Sequence, residues 1–180
     1  NKLMTIPVKI QFVSNEAKEL YNGELKYATE GSSGFDLRVC GFDTSFDAFG
    51  AIHNIDKNLQ DDETLPPVVG YTLFAGRRIL VKTGIKVNLQ NNNYEIQIRS
   101  RSGLALKNGV FVLNSPGTID ADYQQEIGVI IQNNGLFPFV IEKGDRICQA
   151  VICPVTKANF EYVENIEDGE RGGFGSTGVK

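Results

Sequence analysis

The chain has 180 residues, of which 41% are hydrophobic, with a formal net charge of -4 and a sequence pI near 5.1. This length predicts a single domain, here expected over residues 1–169, and the acidic balance argues against a general nucleic-acid or membrane-surface binder. No apolar run approaches the about 20 residues of a membrane span, and the first residues lack the apolar core of a secretory signal, so a cytoplasmic protein is expected.

Short apolar or alternating runs separated by turn residues predict an all-β fold with very little helix. The predicted strands span 6–13, 35–39, 78–89, 94–99, 110–113, 127–132, 137–142 and 147–155. Turn signals lie at 91–93, 133–135 and 143–145, and short helical turns are expected only over 15–21 and 104–107. So many short strands in a small domain indicate a sandwich, a jelly roll or a barrel.

The strand pattern breaks down over about 41–76, a segment with six acidic side chains and, among lysines and arginines, only Lys57. The acidic residues are Asp43, Asp47, Asp56, Asp61, Asp62 and Glu63. We interpret this segment as an acidic surface insertion, the alternative being a regulatory or partner-binding lid.

The cysteines and the histidine exclude several kinds of site. Cys40, Cys148 and Cys153 are an odd number, which favours reduced core thiols over a disulfide or a zinc site. His53 is the only histidine and has no catalytic marker beside it, which argues against a His-based metal centre, a Ser-His-Asp triad and a Cys-His pair.

The segment 99–109 combines a strand, a glycine and a short helical turn. Arg101 and Ser102 supply a fixed charge and a hydroxyl, while Gly103 lets the backbone approach a ligand. The pattern predicts a phosphate-binding loop, although a plain turn after a strand has the same sequence signature.

The segment 114–128 places Asp120, Asp122 and Tyr123 at the mouth of a predicted hairpin, where scaffolds commonly present catalytic groups. Asp120 is the candidate for the group that orients and deprotonates an attacking water. An ordinary Asx turn is the structural alternative. In 144–155, Arg146 and Gln149 interrupt an apolar strand and each needs a partner, either internal or a ligand.

The last segment, 170–180, reads ERGGFGSTGVK and cannot build a core. Phe174 offers a stacking face, while Arg171, Ser176 and Thr177 offer donors to an anion, a combination that fits a nucleotide. We expect a flexible arm that closes over an active site; a disordered tail or linker is the alternative.

Five motifs together resemble, in order, those of the trimeric deoxyuridine triphosphate nucleotidohydrolases, the dUTPases. They are GSSGFDLRV (31–39), RSGLALKNG (101–109), GTIDADYQQE (117–126), GDRICQAVICPV (144–155) and GGFGSTG (172–178). The resemblance implies a jelly-roll-like β-barrel subunit, a homotrimer with shared active sites, and Mg²⁺-dependent hydrolysis of dUTP to dUMP and pyrophosphate. Such hydrolysis keeps uracil out of DNA and supplies dUMP for thymidylate synthesis.

The resemblance also implies residue roles. Asp120 would hold the water that attacks the α-phosphorus, and Tyr123 would pack where a ribose 2′-hydroxyl would otherwise lie. The uracil pocket would be lined by Asn114, Gly117, Thr118, Ile119 and Gly128. The phosphate chain would be held by Arg101, Ser102, Gly103 and Gln149. Mg²⁺ would have no direct protein ligand, with Asp36 near it through water.

The arm would reach a neighbouring subunit's site. Phe174 would stack on uracil beside Gly175, and Arg171, Ser176 and Thr177 would bind the γ-phosphate. In the family an Arg usually stands two residues further upstream of this motif, so the role of Arg171 is left open.

Two other departures from the family pattern are Gln125, where Gly is common, and Ser100, where Pro is usual. The alternative functions are those of a dCTP deaminase and of a non-enzymatic binding module. A dCTP deaminase shares the fold, but the strand that would carry its catalytic Glu reads EIGVIIQN here. A non-enzymatic binding module is favoured only by the acidic insertion.

Overall fold

The computed structural model describes residues 4–43 and 70–169. Two short helices are present there, α1 (Asn15–Leu20) and α2 (Ser102–Asn108). The strands are β1 (Lys9–Phe12), β2 (Phe35–Arg38), β3 (Gly41–Asp43), β4 (Gly70–Leu73), β5 (Arg78–Asn88), β6 (Tyr94–Ser100), β7 (Val110–Val112), β8 (Gly117–Ile119), β9 (Glu126–Asn133), β10 (Phe139–Glu142) and β11 (Arg146–Pro154). His53 and all five predicted arm residues lie outside the described residues.

The strands form two larger antiparallel sheets and one strand pair. The first sheet has the order β1-β5-β9-β7, with β3 also paired to β5, and the second has the order β2-β11-β6-β8. Strands β10 and β4 pair separately. The all-β prediction is confirmed, and within the described part of the chain the strands form these sheets rather than a barrel closed by continuous pairing.

One core lies between the two larger sheets. Strand β9 alternates buried and half-buried residues along its whole length, the pattern of a strand with one face on the core. Its buried Ile127, Val129 and Ile131 belong to one cluster with Leu37 of β2 and Ile98 of β6, so both sheets contribute to the same interior.

Tyr21 joins the two sheets through its hydroxyl. That hydroxyl accepts a hydrogen bond from Arg38 N of β2 at 2.9 Å and donates one to Thr83 O of β5 at 2.7 Å. Burial raises the pKa of Tyr21 well above its ordinary value. The phenol therefore stays protonated and keeps its donor.

All eight predicted strand runs overlap observed strands, and both expected helical turns exist. Strands β3, β4 and β8 were missed. Two of them, β3 and β4, lie inside the predicted 41–76 insertion, whose ends are therefore parts of the fold. In β4, Tyr71 and Leu73 are buried and alternate with half-buried Gly70 and exposed Thr72, but four residues are too few for the pattern to stand out between turns. Residues 44–69 lie outside the described part.

The three cysteines are free thiols. Cys148 is fully buried, as expected of a core thiol, whereas Cys40 and Cys153 are half-buried. Burial, followed by the nearby carboxylate of Asp36, raises the pKa of Cys148 well above its ordinary range. Among the described residues, no helix is long and apolar enough to cross a membrane.

Candidate active site

A groove of about 250 Å³ opens between strands β8 and β9, near the end of β7. Apolar side chains line it, among them Leu80, Ile98 and Val112, with polar groups at its edges. The six residues predicted to contact the nucleoside, Asn114, Gly117, Thr118, Ile119, Tyr123 and Gly128, all line this groove. The predicted hairpin does not form, because β8 pairs with β6 and β9 pairs with β5 and β7 in the other sheet. The chain that runs from β8 into β9 nevertheless brings together residues that the sequence separates by up to fourteen positions.

Two glycines keep the groove open. A Cβ atom placed on Gly128 would lie 2.9 Å from Leu80 Cδ1, and one placed on Gly117 would lie 3.1 Å from Ile98 Cβ. Because Leu80 and Ile98 themselves line the groove, a side chain at either glycine would push a wall residue or fill the space. The main chain can therefore approach a ligand closely here.

Main-chain polar groups along the groove are suited to reading a flat base. Strand β8 is the last strand of its sheet, and strand β7 stops beside β9 before reaching Gly128. Within the described part of the chain, the outer edge of β8 therefore has no strand partner, and neither does the β7-side edge of β9 at its start, where β9 pairs only with β5. Unpaired N–H and C=O groups in such positions can recognise a base edge by its pattern of donors and acceptors.

Asp120 lies at the rim of the groove, exposed, between Ile119 and Tyr123. A turn holds it there, because Asp120 O accepts the main-chain N–H of Tyr123 at 3.0 Å. This turn is closed by main-chain atoms and is therefore a β-turn rather than an Asx turn, and it leaves the Asp120 side chain in solvent at the mouth of the groove.

Glu126 and Lys82 also line the groove, and neither was predicted from the sequence. Glu126 Oε1 accepts a hydrogen bond from Gly84 N at 3.0 Å, and its other oxygen lies 3.9 Å from Lys82 Nζ. Gly84 has a φ of +74°, at the register shift of β5 against β9. Glu126 thus fixes the start of β9 to the irregular part of β5.

A second cluster, the guanidinium cluster, consists of Asp36, Arg101 and Arg146. Arg146 Nη1 lies 3.3 Å from Asp36 Oδ2, and Arg101 Nε lies 3.9 Å from Asp36 Oδ1. Arg101 Nη1 also donates to Arg146 O at 2.6 Å. One carboxylate between two guanidinium groups leaves a net positive site on which phosphate oxygens can bind.

Ser102, Gly103 and Gln149 complete the phosphate-binding residues predicted from the sequence. Ser102 and Gly103 are exposed at the start of α2, directly after Arg101. Gln149 lies opposite Asp36 in the sheet register, and its Nε2 donates to Ser100 O at 3.3 Å. The sequence predicts only that Arg146 needs a partner, and the structure provides that partner in Asp36.

The carboxylates of Asp36 and Asp120 lie at opposite corners of the second sheet. Asp36 is level with Arg99, while Asp120 follows Ile119 and is level with Glu95. In the order β2-β11-β6-β8, three strand spacings of about 4.8 Å and four residue steps of about 3.3 Å separate the two carboxylates by roughly 20 Å. Arg101 points toward Asp36 and so away from β8.

The Mg²⁺ that the resemblance implies would meet one carboxylate in the guanidinium cluster, that of Asp36. Among the described residues, no three His, Cys, Asp or Glu side chains are grouped to hold a metal ion. A single carboxylate together with a ligand's phosphate oxygens fits Mg²⁺, which keeps several waters and seldom uses an all-protein cage.

Comparison with known proteins identifies the family. The sequence model of the dUTPase family matches residues 68–178. The deoxyuridine 5′-triphosphate nucleotidohydrolase of Chlamydia felis is 42% identical over 160 residues, which cover 86% of this chain and 90% of that protein. The chain belongs to the dUTPase family. The enzyme of the same name from Clostridium tetani is 48% identical over 137 residues, covering 68% of this chain and 94% of that protein.

Solved dUTPase structures have the same fold. The dUTPase of Staphylococcus bacteriophage 80alpha, solved with dUpNHpp, aligns with a TM-score of 0.70 and 22% identity over 97% of this chain and 100% of that one. The dUTPase of S. aureus phage phi11, described with a structural Mg(II) ion, aligns with a TM-score of 0.65 and 18% identity, covering 90% and 99%.

Proposed function

We propose that this dUTPase-family chain hydrolyses dUTP to dUMP and pyrophosphate, with water attacking the α-phosphorus. The observation that carries the proposal is the groove between β8 and β9. It is lined by all six residues expected to contact the nucleoside and has the Asp120 carboxylate at its rim. In the cell this reaction would keep uracil out of DNA and supply dUMP for thymidylate synthesis.

Uracil would be selected by the unpaired main-chain groups of the groove. Uracil presents an acceptor at O4 and a donor at N3, whereas cytosine presents a donor at its exocyclic N4. Cytosine in the same position would leave buried polar groups unpaired, which is the strong form of substrate discrimination. The ring of Tyr123 would occupy the space that a ribose 2′-hydroxyl requires.

Asp120 would orient the attacking water and accept its proton as the bond to phosphorus forms. Its exposed position lets a water reach it from solvent without an internal channel. Arg101, Ser102, Gly103 and Gln149 would hold the phosphate chain and align the α-phosphorus with that water.

Mg²⁺ would be held mainly by the triphosphate, with Asp36 as the carboxylate within reach of its hydration waters. When bound, the ion would neutralise phosphate charge and favour departure of pyrophosphate. Asp36 would also fix the two guanidinium groups of Arg101 and Arg146 against the same phosphates.

The site would be shared between chains of a homotrimer. The separation of roughly 20 Å between Asp36 and Asp120, in the register described above, is too long for one nucleotide to engage both carboxylates of a single chain. This separation supports a site built from the groove of one chain and the guanidinium cluster of another. The trimeric number itself, and closure by the arm 170–180, rest on the resemblance.

One assay tests the proposal. Pyrophosphate release is measured from dUTP, dCTP, dTTP and UTP, with Mg²⁺ and with EDTA, while chromatography follows any deamination of dCTP. We expect rapid release from dUTP alone and its loss in EDTA. Release from none of the four nucleotides, or conversion of dCTP to dUTP, would refute the proposal.

A further inference from the structure

Three hydrogen bonds link the strand that leads to Arg101 with the rim of the groove. Val112 N donates to Ser100 Oγ at 2.9 Å, and Ser100 Oγ lies 3.3 Å from Ser115 Oγ. Ser115 Oγ in turn donates to Val112 O. Because the one hydroxyl proton of Ser115 is donated to Val112 O, the Ser100 hydroxyl must be the donor in its bond to Ser115. The three bonds therefore form a closed ring.

This ring of hydrogen bonds among Ser100, Val112 and Ser115, the hydroxyl ring, lies between the two parts of the candidate site. Ser100 ends β6 beside Arg101, and its main-chain oxygen accepts Gln149 Nε2. Ser115 adjoins Asn114, which lines the groove. Strands β6 and β7 belong to different sheets, so the ring ties the phosphate-binding side of the chain to the nucleoside-binding side.

Water is a poor substitute for these bonds. Val112 is 1% exposed, so its main-chain N–H has little access to solvent if Ser100 loses its hydroxyl. Bonds in a closed ring also polarise one another, so losing any member weakens the others.

We propose that Ser100 and Ser115 are positioning residues that hold the Asn114 rim of the groove and thereby set the affinity for the nucleoside. The inference rests on the proposed function, because it takes the groove as the nucleoside site. Neither serine contacts the substrate directly under this proposal. Their effect passes through Val112 and the chain at 113–116.

The test uses the variants Ser100→Ala, Ser115→Ala, the double variant and Ser115→Thr, with Ser14→Ala as the matched control. Ser14 Oγ likewise accepts a main-chain N–H, that of Ala17 at 3.0 Å, but it caps α1, and neither Ser14 nor any residue of α1 lines the groove. The readouts are the Kd for dUMP by calorimetry, KM and kcat for dUTP, and the thermal midpoint. Because dUMP lacks the β- and γ-phosphates, its Kd reports chiefly on the groove.

Each single Ala variant is expected to weaken dUMP binding and raise KM about 3- to 10-fold, with kcat within about twofold. The double variant should be no worse than the poorer single variant, because either change opens the same ring. Ser115→Thr should restore most of the affinity, and Ser14→Ala should lower the thermal midpoint without changing the dUMP Kd.

The outcomes separate the two proposals. If the wild-type protein neither binds dUMP nor hydrolyses dUTP, the proposed function is wrong and the positioning role falls with it. If the wild-type protein does both, and the Ser100 and Ser115 variants match Ser14→Ala in Kd and KM, the positioning role alone is wrong. Effects of the two serines that simply add would equally contradict the closed ring.

Discussion

The hydroxyl of Tyr123 donates a hydrogen bond to the main-chain oxygen of Glu126 at 3.0 Å. The bond spans the turn between β8 and β9, so the ring is fixed at both its backbone and its tip. Tyr123 is nevertheless 41% exposed, and one side of it faces the groove. A large apolar ring held rigidly at a pocket wall can exclude a group by contact, which is the role proposed for it against the ribose 2′-hydroxyl.

Tyr123→Ala is therefore expected to narrow the preference for dUTP over UTP, chiefly by admitting the ribonucleotide. Tyr123→Phe is the matched control, since it keeps the ring and loses only the bond to Glu126, and its preference should change by less than about threefold. The ratio of the two kcat/KM values is the quantity to measure. An unchanged ratio in Tyr123→Ala would mean that the sugar is recognised elsewhere.

The nucleoside groove was predictable because most of its lining residues lie in one stretch of sequence, 112–130, that includes β8 and the start of β9. Asn114, Gly117 and Tyr123 are close in the chain, so they stay close in space although β8 and β9 belong to different sheets. Lys82 was missed because it reaches the groove through the pairing of β5 with β9, and that pairing shifts register beside Gly84. Glu126 lies in the predicted stretch, but its bond to Gly84 N depends on the same pairing. No local sequence pattern predicts such a register shift.

The guanidinium cluster shows a different limit. Arg101 and Asp36 were each singled out by motif, but their contact depends on β11 lying between β2 and β6 in the sheet. Arg146 could be marked only as a polar residue in an apolar run. Long-range pairing of this kind is set by the whole fold, which is also why β8, only three residues long, was not predicted as a strand.

Asp120→Asn should lower kcat for dUTP by roughly 10²- to 10⁴-fold, because an amide cannot accept the proton of the attacking water. Binding of the analogue dUpNHpp should change little. Asp122→Asn is the matched control: it makes the same charge change two residues away, at another exposed position, and should remain active. A near-normal rate in Asp120→Asn, or an equal loss in both variants, would remove Asp120 from its proposed role.

Alkaline pH should destabilise the fold through Cys148. Burial, and then Asp36, raise the pKa of this thiol in the folded chain, whereas an unfolded chain ionises it near the ordinary value of about 8.5. The folded state thus retains a proton that the unfolded state loses, so the free energy of unfolding falls as pH rises past that value.

The effect is measured by the urea midpoints of unfolding at pH 7.5 and 9.5. Both pH values lie below the range in which ionisation of Tyr21 affects stability. Cys148→Ala should lose less stability between the two pH values than the wild-type protein does. Burial also raises the pKa of Cys40, so Cys148→Ala should remove part of the fall and not all of it. An equal fall in the wild-type protein and Cys148→Ala would assign the alkaline sensitivity to other groups.

The last prediction concerns sharing of the site between chains. If the groove of one chain works with the guanidinium cluster of another, Asp120→Asn and Arg101→Ala damage opposite halves of each site. Each variant alone should be nearly inactive. Mixed trimers should nevertheless contain some sites built from an intact Asp120 on one chain and an intact Arg101 on the next, and random assortment at equal amounts makes these roughly a quarter of all sites.

Activity in the mixture should accordingly rise well above either parent, toward about a quarter of the wild-type kcat, once subunits have exchanged. Exchange is verified by native mass spectrometry of chains of different mass. A mixture of Asp120→Asn with Asp120→Asn,Arg101→Ala chains is the control and should stay inactive, since no chain in it has an intact Asp120. If verified mixed trimers are no more active than the parents, Asp120 and Arg101 must serve the same site from one chain, and the fold would have to bring together two corners that its sheet register holds apart.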